Sequence, residues 1–143
     1  EITETTLMYD PARATATLNA IHDLGVTLSV DDFGTGFSSL TYMRDLPVKE
    51  VKIDRSFVTD IGKSRRDAVI VESTIELAHA LDLRVVAEGV EDADALALLL
   101  GFGCDQAQGY HLCMPQPAKQ ISAWLHERSR LSGRSTLSTA VPS

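Results

Sequence analysis

The stretch Leu83-Arg84-Val85-Val86-Ala87-Glu88-Gly89-Val90-Glu91 decides how the rest of the chain is read. Leu83 to Ala87 is a short apolar, β-branched run of strand length. It lies between two segments of helical period. Upstream, Ser64 opens a helix in which Ala68, Val71, Ile75, Ala78 and Leu81 share one apolar face. Downstream, Asp92 caps a helix carrying Leu96, Leu99 and Leu100 that stops at Gly101. The unit is therefore helix, strand, helix, and it repeats in both directions. Asp10-Pro11 starts a helix with Ala14, Leu18, Ile21 and Leu24 on one side, ended by Gly25. Val26, Leu28 and Val30 form a strand that finishes at Asp31-Asp32, and Val48 to Asp54 form another. A short helix from Leu40 to Arg44 is stopped by Pro47. Cys104 to Gln108 is a last short strand, and Ala118 to Arg128 an amphipathic helix with Ile121, Trp124 and Leu125. Alternating strands and helices predict an α/β fold with a parallel sheet and crossover helices.

Composition bounds what such a fold can do. The 143 residues are 44% hydrophobic and 23% charged, enough apolar surface for a core. The net charge is −7, unevenly placed: the first 118 residues carry 19 acidic side chains against 9 basic, the last 25 carry one against four. An acidic body excludes binding to duplex nucleic acid, which depends on Lys and Arg neutralising phosphates. No apolar run reaches the ~20 residues of a spanning helix, so no direct membrane insertion is expected. Cys104 and Cys113 are too few for a disulfide framework and read as reduced packing thiols. From Ser129 onward seven of fifteen residues are Ser or Thr, and 129–143 is expected to be a disordered tail.

Polar residues fall where the strands end: Asp31 and Asp32, Lys52 and Asp54, Glu88, Gln108, with Glu1 and Glu4 reading as the exit of one more strand. In parallel α/β folds functional groups gather at the carboxyl ends of strands, and in a barrel those ends make one mouth. Singly, each has an ordinary reading: Asp31-Asp32 as a capping turn, Lys52 as a surface ion pair, Glu88 and Glu91 as first-turn acids. Recurrence at successive strand ends favours a shared site. Converging carboxylates need a positive partner, and hard divalent cations prefer oxygen ligands. Two such ions ~4 Å apart, bridged by one carboxylate, suit displacement at a phosphodiester. Other motifs fail on context. Asp32-Phe33-Gly34 lacks a kinase catalytic loop, Gly34-Thr35-Gly36 lacks the third glycine of a dinucleotide fingerprint, and the four histidines lack metal-ligand spacing.

Five motifs in order and spacing resemble the second half of the EAL domain. They are Glu1-Ile-Thr-Glu4, Asp31-Asp32-Phe-Gly-Thr-Gly-Phe-Ser-Ser-Leu40, Val51-Lys52-Ile-Asp54-Arg-Ser-Phe57, Val86-Ala-Glu88-Gly-Val-Glu91 and Gln108-Gly-Tyr-His-Leu-Cys-Met-Pro115. That family comprises bacterial phosphodiesterases that open cyclic di-GMP to linear pGpG. The resemblance implies a TIM-type (β/α)8 barrel, of which residues 1–128 would be the C-terminal half, with Mg²⁺ or Mn²⁺ at the strand mouths. By position it makes Glu1 a ligand of the first metal, Asp31 the ligand shared by both, and Asp32 and Glu88 ligands of the second. Lys52 would orient or deprotonate the attacking water, and Gln108 would support the water and phosphate. Asp54 and Pro115 would shape the guanine end of the pocket, while Glu4 would brace the Asp31–Leu40 loop.

The Glu-Ala-Leu signature and the asparagine on the following strand are not in the chain, and Leu112 stands where the family more often has phenylalanine. A whole barrel of this type takes ~250 residues. The expectation is thus a partial domain that is inactive alone, from a phosphodiesterase with an upstream sensory or cyclase domain. The alternative is a non-catalytic cyclic di-GMP receptor. Open strand edges predict a homodimer. The resemblance also implies the bacterial cytoplasm, with tethering of the parent protein to a membrane compatible.

Overall fold

In the computed structural model the described residues are 1–3, 6, 10–35, 45–131 and 138–139. The elements run β1 (Ile2–Thr3), α1 (Pro11–Asp23), β2 (Ser29–Phe33), β3 (Glu50–Ile53), α2 (Arg55–Val58), α3 (Arg65–Ala80), β4 (Arg84–Ala87), α4 (Ala93–Gly101), β5 (Gln106–Ala107), α5 (Ala118–Leu131) and β6 (Ser138–Thr139). The expected helix from Leu40 to Arg44, and Glu4, lie outside the described residues.

Local chemistry sets the helix starts. Asp10 accepts from the Arg13 N–H at 3.1 Å with Pro11 at the first helical position. Ser64 accepts from Asp67 N at 3.2 Å and Asp92 from Ala95 N at 2.7 Å. Each cap satisfies one N–H that the helix leaves without a carbonyl partner, typically worth ~1 kcal/mol. Asp54 does the same for α2, accepting from Ser56 N at 3.0 Å.

Among the described residues every strand pair is parallel and the strand order follows the chain, β1-β2-β3-β4-β5-β6. A doubly wound sheet reverses direction at a switch point; this one never does, which is the winding of a barrel wall. The expected parallel α/β architecture of barrel type is what the chain forms. Strands are shorter than their apolar runs: β2 begins at Ser29 rather than Val26, which is 47% exposed.

One face of the sheet carries Val30, Val51, Ile53, Val85 and Ala87 into the main core, against Leu18 of α1, Val71, Ile75 and Ala78 of α3 and Leu99 of α4. Burying a side chain such as Ile75 or Leu99 contributes about 2 kcal/mol or more. Lys52 and Val86 are register partners one residue out of phase with that face, so they stand on the opposite side of the sheet. Both are buried all the same, as expected where a parallel sheet is covered on both faces.

Cys104 belongs to this packing. Burial pushes its thiol up to about 11, so it stays protonated near neutrality. No described helix is long and apolar enough to cross a membrane.

At the far end of the sheet, away from the strand exits, Asp105 joins three elements. Its Oδ2 accepts from Val85 N at 2.8 Å and shares a 2.9 Å hydrogen bond with His79 Nε2 at the end of α3. Asp105→Ala leaves the Val85 N–H without that acceptor and should cost about 1–3 kcal/mol in urea unfolding. A loss below 0.5 kcal/mol would mean that water replaces the carboxylate at no cost.

Candidate active site at the strand ends

β3 delivers Lys52 to the middle of a carboxylate group. Its Nζ lies 2.5 Å from Glu88 Oε1, 3.1 Å from Glu1 Oε1 and 3.6 Å from Asp31 Oδ1. Lys52 is 8% exposed, whereas the Glu1 side chain is half open to solvent. Burial by itself would lower the Lys52 pKa. Hydrogen bonds to Glu88 and Glu1, followed by the charges of Glu88 and Asp31, outweigh it and raise the ammonium above the ordinary lysine range. In this arrangement Lys52 donates hydrogen bonds and holds no free lone pair with which to take a proton from water.

The backbone that aims these groups is irregular. β2 and β3 pair Val30 with Val51 but Phe33 with Ile53, so β2 carries one extra residue there. The bulge falls on Asp31-Asp32, and Asp32 has φ +55°, in the left-handed region. The turn is held by Asp32 N donating to Asp31 Oδ1 at 3.1 Å and by the Thr35 hydroxyl donating to Asp32 O at 2.8 Å. Strict alternation would send one of two adjacent aspartates away from the other; the bulge leaves both half-buried.

Asp tolerates this φ better than most residues, but only glycine adopts it freely. Asp32→Gly should therefore be about 1 kcal/mol more stable than Asp32→Ala in urea unfolding, although both remove the same carboxylate. Equal stability would mean that the bulge relaxes once the side chain is gone.

β4 ends at Ala87, and the N–H of Glu88 just beyond it donates to Ile53 O at 3.1 Å, tying the two strand exits together. Gly89 follows at φ +73°. A Cβ there would stand 2.5 Å from the Arg55 Cβ and 3.1 Å from its Cα, so the chain can turn here only as glycine. Beyond it opens a pocket of about 180 Å³ lined by Glu88, Gln108, Arg55, Glu91, Tyr110 and neighbours.

Of the residues expected from sequence, the structure thus joins Glu1, Asp31, Lys52 and Glu88 in one ionic group, with Gln108 across the adjoining pocket. Glu1 immediately precedes Ile2 and Thr3 of β1. Asp32 lies next to this group without an ion pair to Lys52 among the described residues. Asp54 is occupied as the α2 cap, its carboxyl held below the ordinary range: burial opposes the shift, and hydrogen bonds from the Ser56 hydroxyl and N–H outweigh it. Pro115 is exposed, and nothing described connects it to Lys52. Arg55 and Tyr110 carried no role in the sequence reading; they lie one and two residues past strand-end groups, Asp54 and Gln108, that drew attention.

The acid-rich mouth does not have the geometry expected of a metal cluster. Among the described residues no three His, Cys, Asp or Glu side chains are placed to hold an ion. The point where Glu1, Asp31 and Glu88 converge is taken by the Lys52 ammonium, which supplies the neutralising charge. The donor chemistry itself, carboxylate oxygens without a soft ligand, fits a hard divalent cation.

The EAL domain family model matches residues 1–115. Cyclic di-GMP phosphodiesterase NbdA of Pseudomonas aeruginosa is 46% identical over 125 residues, which are 87% of this chain and 16% of that protein. The solved PaMucR phosphodiesterase in complex with c-di-GMP is 42% identical with a TM-score of 0.80, covering 84% of this chain and 49% of that one. The Klebsiella pneumoniae BlrP1 calcium/cy-diGMP complex is 32% identical with a TM-score of 0.69, covering 76% of this chain and 27% of the other. This chain therefore spans less than a fifth of NbdA and about half of the solved PaMucR chain. The ordered strand-end motifs, the parallel sheet and these likenesses agree: the chain belongs to the EAL domain family.

Proposed function

We propose that this chain forms part of the active site of a cyclic di-GMP phosphodiesterase. The observation that carries the reading is Lys52, buried at a strand end and surrounded by Glu1, Asp31 and Glu88, beside a pocket with Gln108 on its wall. Water attacks phosphorus in line, the P–O bond on the far side breaks, and the ring opens to a linear dinucleotide with a 5′-phosphate. Lys52 donates N–H bonds to the phosphate oxygens or the water and orients them, while charge builds on the phosphate. Gln108 supports the same oxygens. Glu1, Asp31, Asp32 and Glu88 would hold Mg²⁺ or Mn²⁺, which supplies Lewis-acid charge at the phosphate when bound. Asp54 and Pro115 contribute the guanine end, and Glu4 braces the loop after Asp31.

The setting follows from the same reading. The catalytic unit is a complete EAL barrel joined to sensory or cyclase domains, working as a homodimer in the bacterial cytoplasm; the fraction of NbdA covered here is compatible with that. Incubating the protein in its natural length with cyclic di-GMP and Mg²⁺ or Mn²⁺, and separating the nucleotides by chromatography, should yield pGpG. Binding without product would favour the second reading, a receptor. That reading has its own support in the Lys52 ammonium, which occupies the carboxylate focus. The absence of both binding and product would refute the assignment.

A further inference from the structure

We propose that Arg55 is the specificity-determining residue that holds the phosphodiester not being cut, a role that rests on the phosphodiesterase reading above. A cyclic dinucleotide carries two phosphates and two negative charges. Lys52 and its carboxylates account for one of them. A cation in the same cleft would complement the second.

Among the described residues lining the pocket, Arg55 is the only cation. Two carboxylates share that lining, yet neither neutralises it: Glu88 is committed to Lys52 at 2.5 Å, and no ion pair within 4 Å joins Arg55 to Glu88 or Glu91. Arg55 is exposed, so its guanidinium is reachable by a ligand. The root of its side chain, in contrast, is packed closely. Gly89, adjacent to Glu88, lets the backbone pass so close to Arg55 that a Cβ would fall 2.5 Å from the arginine Cβ.

The Asp54 carboxylate is near enough to feel the charge of Arg55, yet no ion pair within 4 Å closes between them, and a fork of N–H donors anchored in this way beside the reacting site suits a phosphate, which guanidinium recognises with paired hydrogen bonds. A neutral nucleobase would gain little from that charge. Tyr110, 62% exposed on the same pocket, offers an aromatic face for a base beside the phosphate.

The test uses the natural-length protein with Mg²⁺ and two linear ligands that need no turnover: pGpG, and the same dinucleotide with a neutral methylphosphonate in place of its internal phosphodiester. Calorimetry should show wild type preferring the charged linkage by about tenfold or more, the usual scale of a charge-assisted hydrogen bond. Arg55→Ala should erase that preference, and Arg55→Lys should restore part of it. Unchanged thermal melting would show that the variants are folded. If Arg55→Ala keeps the preference, Arg55 does not hold this phosphate and the proposal is wrong. If wild type binds pGpG without any preference, the internal phosphate is not recognised and the proposal is wrong. Failure of wild type to bind either ligand would instead remove the phosphodiesterase reading, and this inference with it.

Discussion

Lys52→Met should leave a folded but weakened protein that no longer turns over cyclic di-GMP. Methionine matches the lysine stem in length and apolar character, so packing around the buried methylenes survives. What disappears is the single positive charge between Glu1, Asp31 and Glu88. Three carboxylates then face one another beside a buried site. Removing one partner of a fully buried pair costs 3–5 kcal/mol. The carboxylates here are partly solvated, the Glu1 side chain at 54% exposure, which reduces the figure to about 2 kcal/mol. Activity should fall further, by ~10²–10³, the usual effect of deleting a donor to developing charge. Chemical unfolding and chromatographic assay on one preparation separate the two effects.

The pH dependence of this contribution has a definite sign. The folded-state pKa of Lys52 is raised, so its stabilisation is fully present below the ordinary lysine value. It is lost only as pH rises through the higher folded value. Between pH 6 and 9 the Lys52 ion pairs should therefore give no titration step of their own. A wild-type stability that fell across that range in step with Lys52 chemistry, and not in Lys52→Met, would overturn the assignment. A variant as stable and active as wild type would show that the ion pairs at this strand end are ornamental.

The sequence made the elements legible because their signals are local and periodic. Asp10-Pro11, Ser64 and Asp92 cap the helices where a capping reading puts them. Lys52, Asp31 and Glu88 could be grouped in advance because successive parallel strands expose their ends together, and the register later sets Lys52 beside Val86, two residues before Glu88. What escaped is nonlocal or too short to have a period. α2 spans four residues, barely one turn, and the apolar run before it absorbed the reading. Asp105 sits in a loop, and its value comes from Val85 and His79, 20 and 26 residues away in sequence. Asp54 read as a strand-end acid like its neighbours; its role as a cap depends on Ser56 turning back toward it. The expected metal ligands came from acids recurring at successive strand ends and from the EAL resemblance, and neither reveals that the Lys52 ammonium stands among Glu1, Asp31 and Glu88. Nor does Asp31-Asp32 reveal a bulge, since a single positive φ at aspartate has no compositional mark.

Gly109 presents the same lesson in its sharpest form, and Gly109→Ala should be the most damaging single methyl in the described structure. Its neighbours are backbone, not adaptable side chains. A Cβ at Gly109 would lie 2.2 Å from Val90 O, 2.3 Å from Val90 N and 2.7 Å from Val90 C. Val90 cannot withdraw cheaply, because hydrogen bonds hold it on both sides. Its N–H donates to Gln108 O at 3.0 Å, and its carbonyl accepts from His111 N at 3.0 Å. Relief therefore requires breaking the clasp between the end of β4 and the turn that carries Gln108 and Tyr110. Overpacking that can relax costs 1–3 kcal/mol; against fixed backbone about 3 kcal/mol or more is expected, a fall of roughly 10 °C in Tm for a chain of this size. Gly101 supplies the control. Its added Cβ would meet nothing within 4 Å and its φ is not positive, so Gly101→Ala should be neutral or gain up to about 1 kcal/mol. Turnover should fall with Gly109→Ala even at temperatures where the protein remains folded, because Gln108 and the pocket wall shift together. Equal melting temperatures for the two alanine variants would show that the contact between Gly109 and Val90 does not hold the site together.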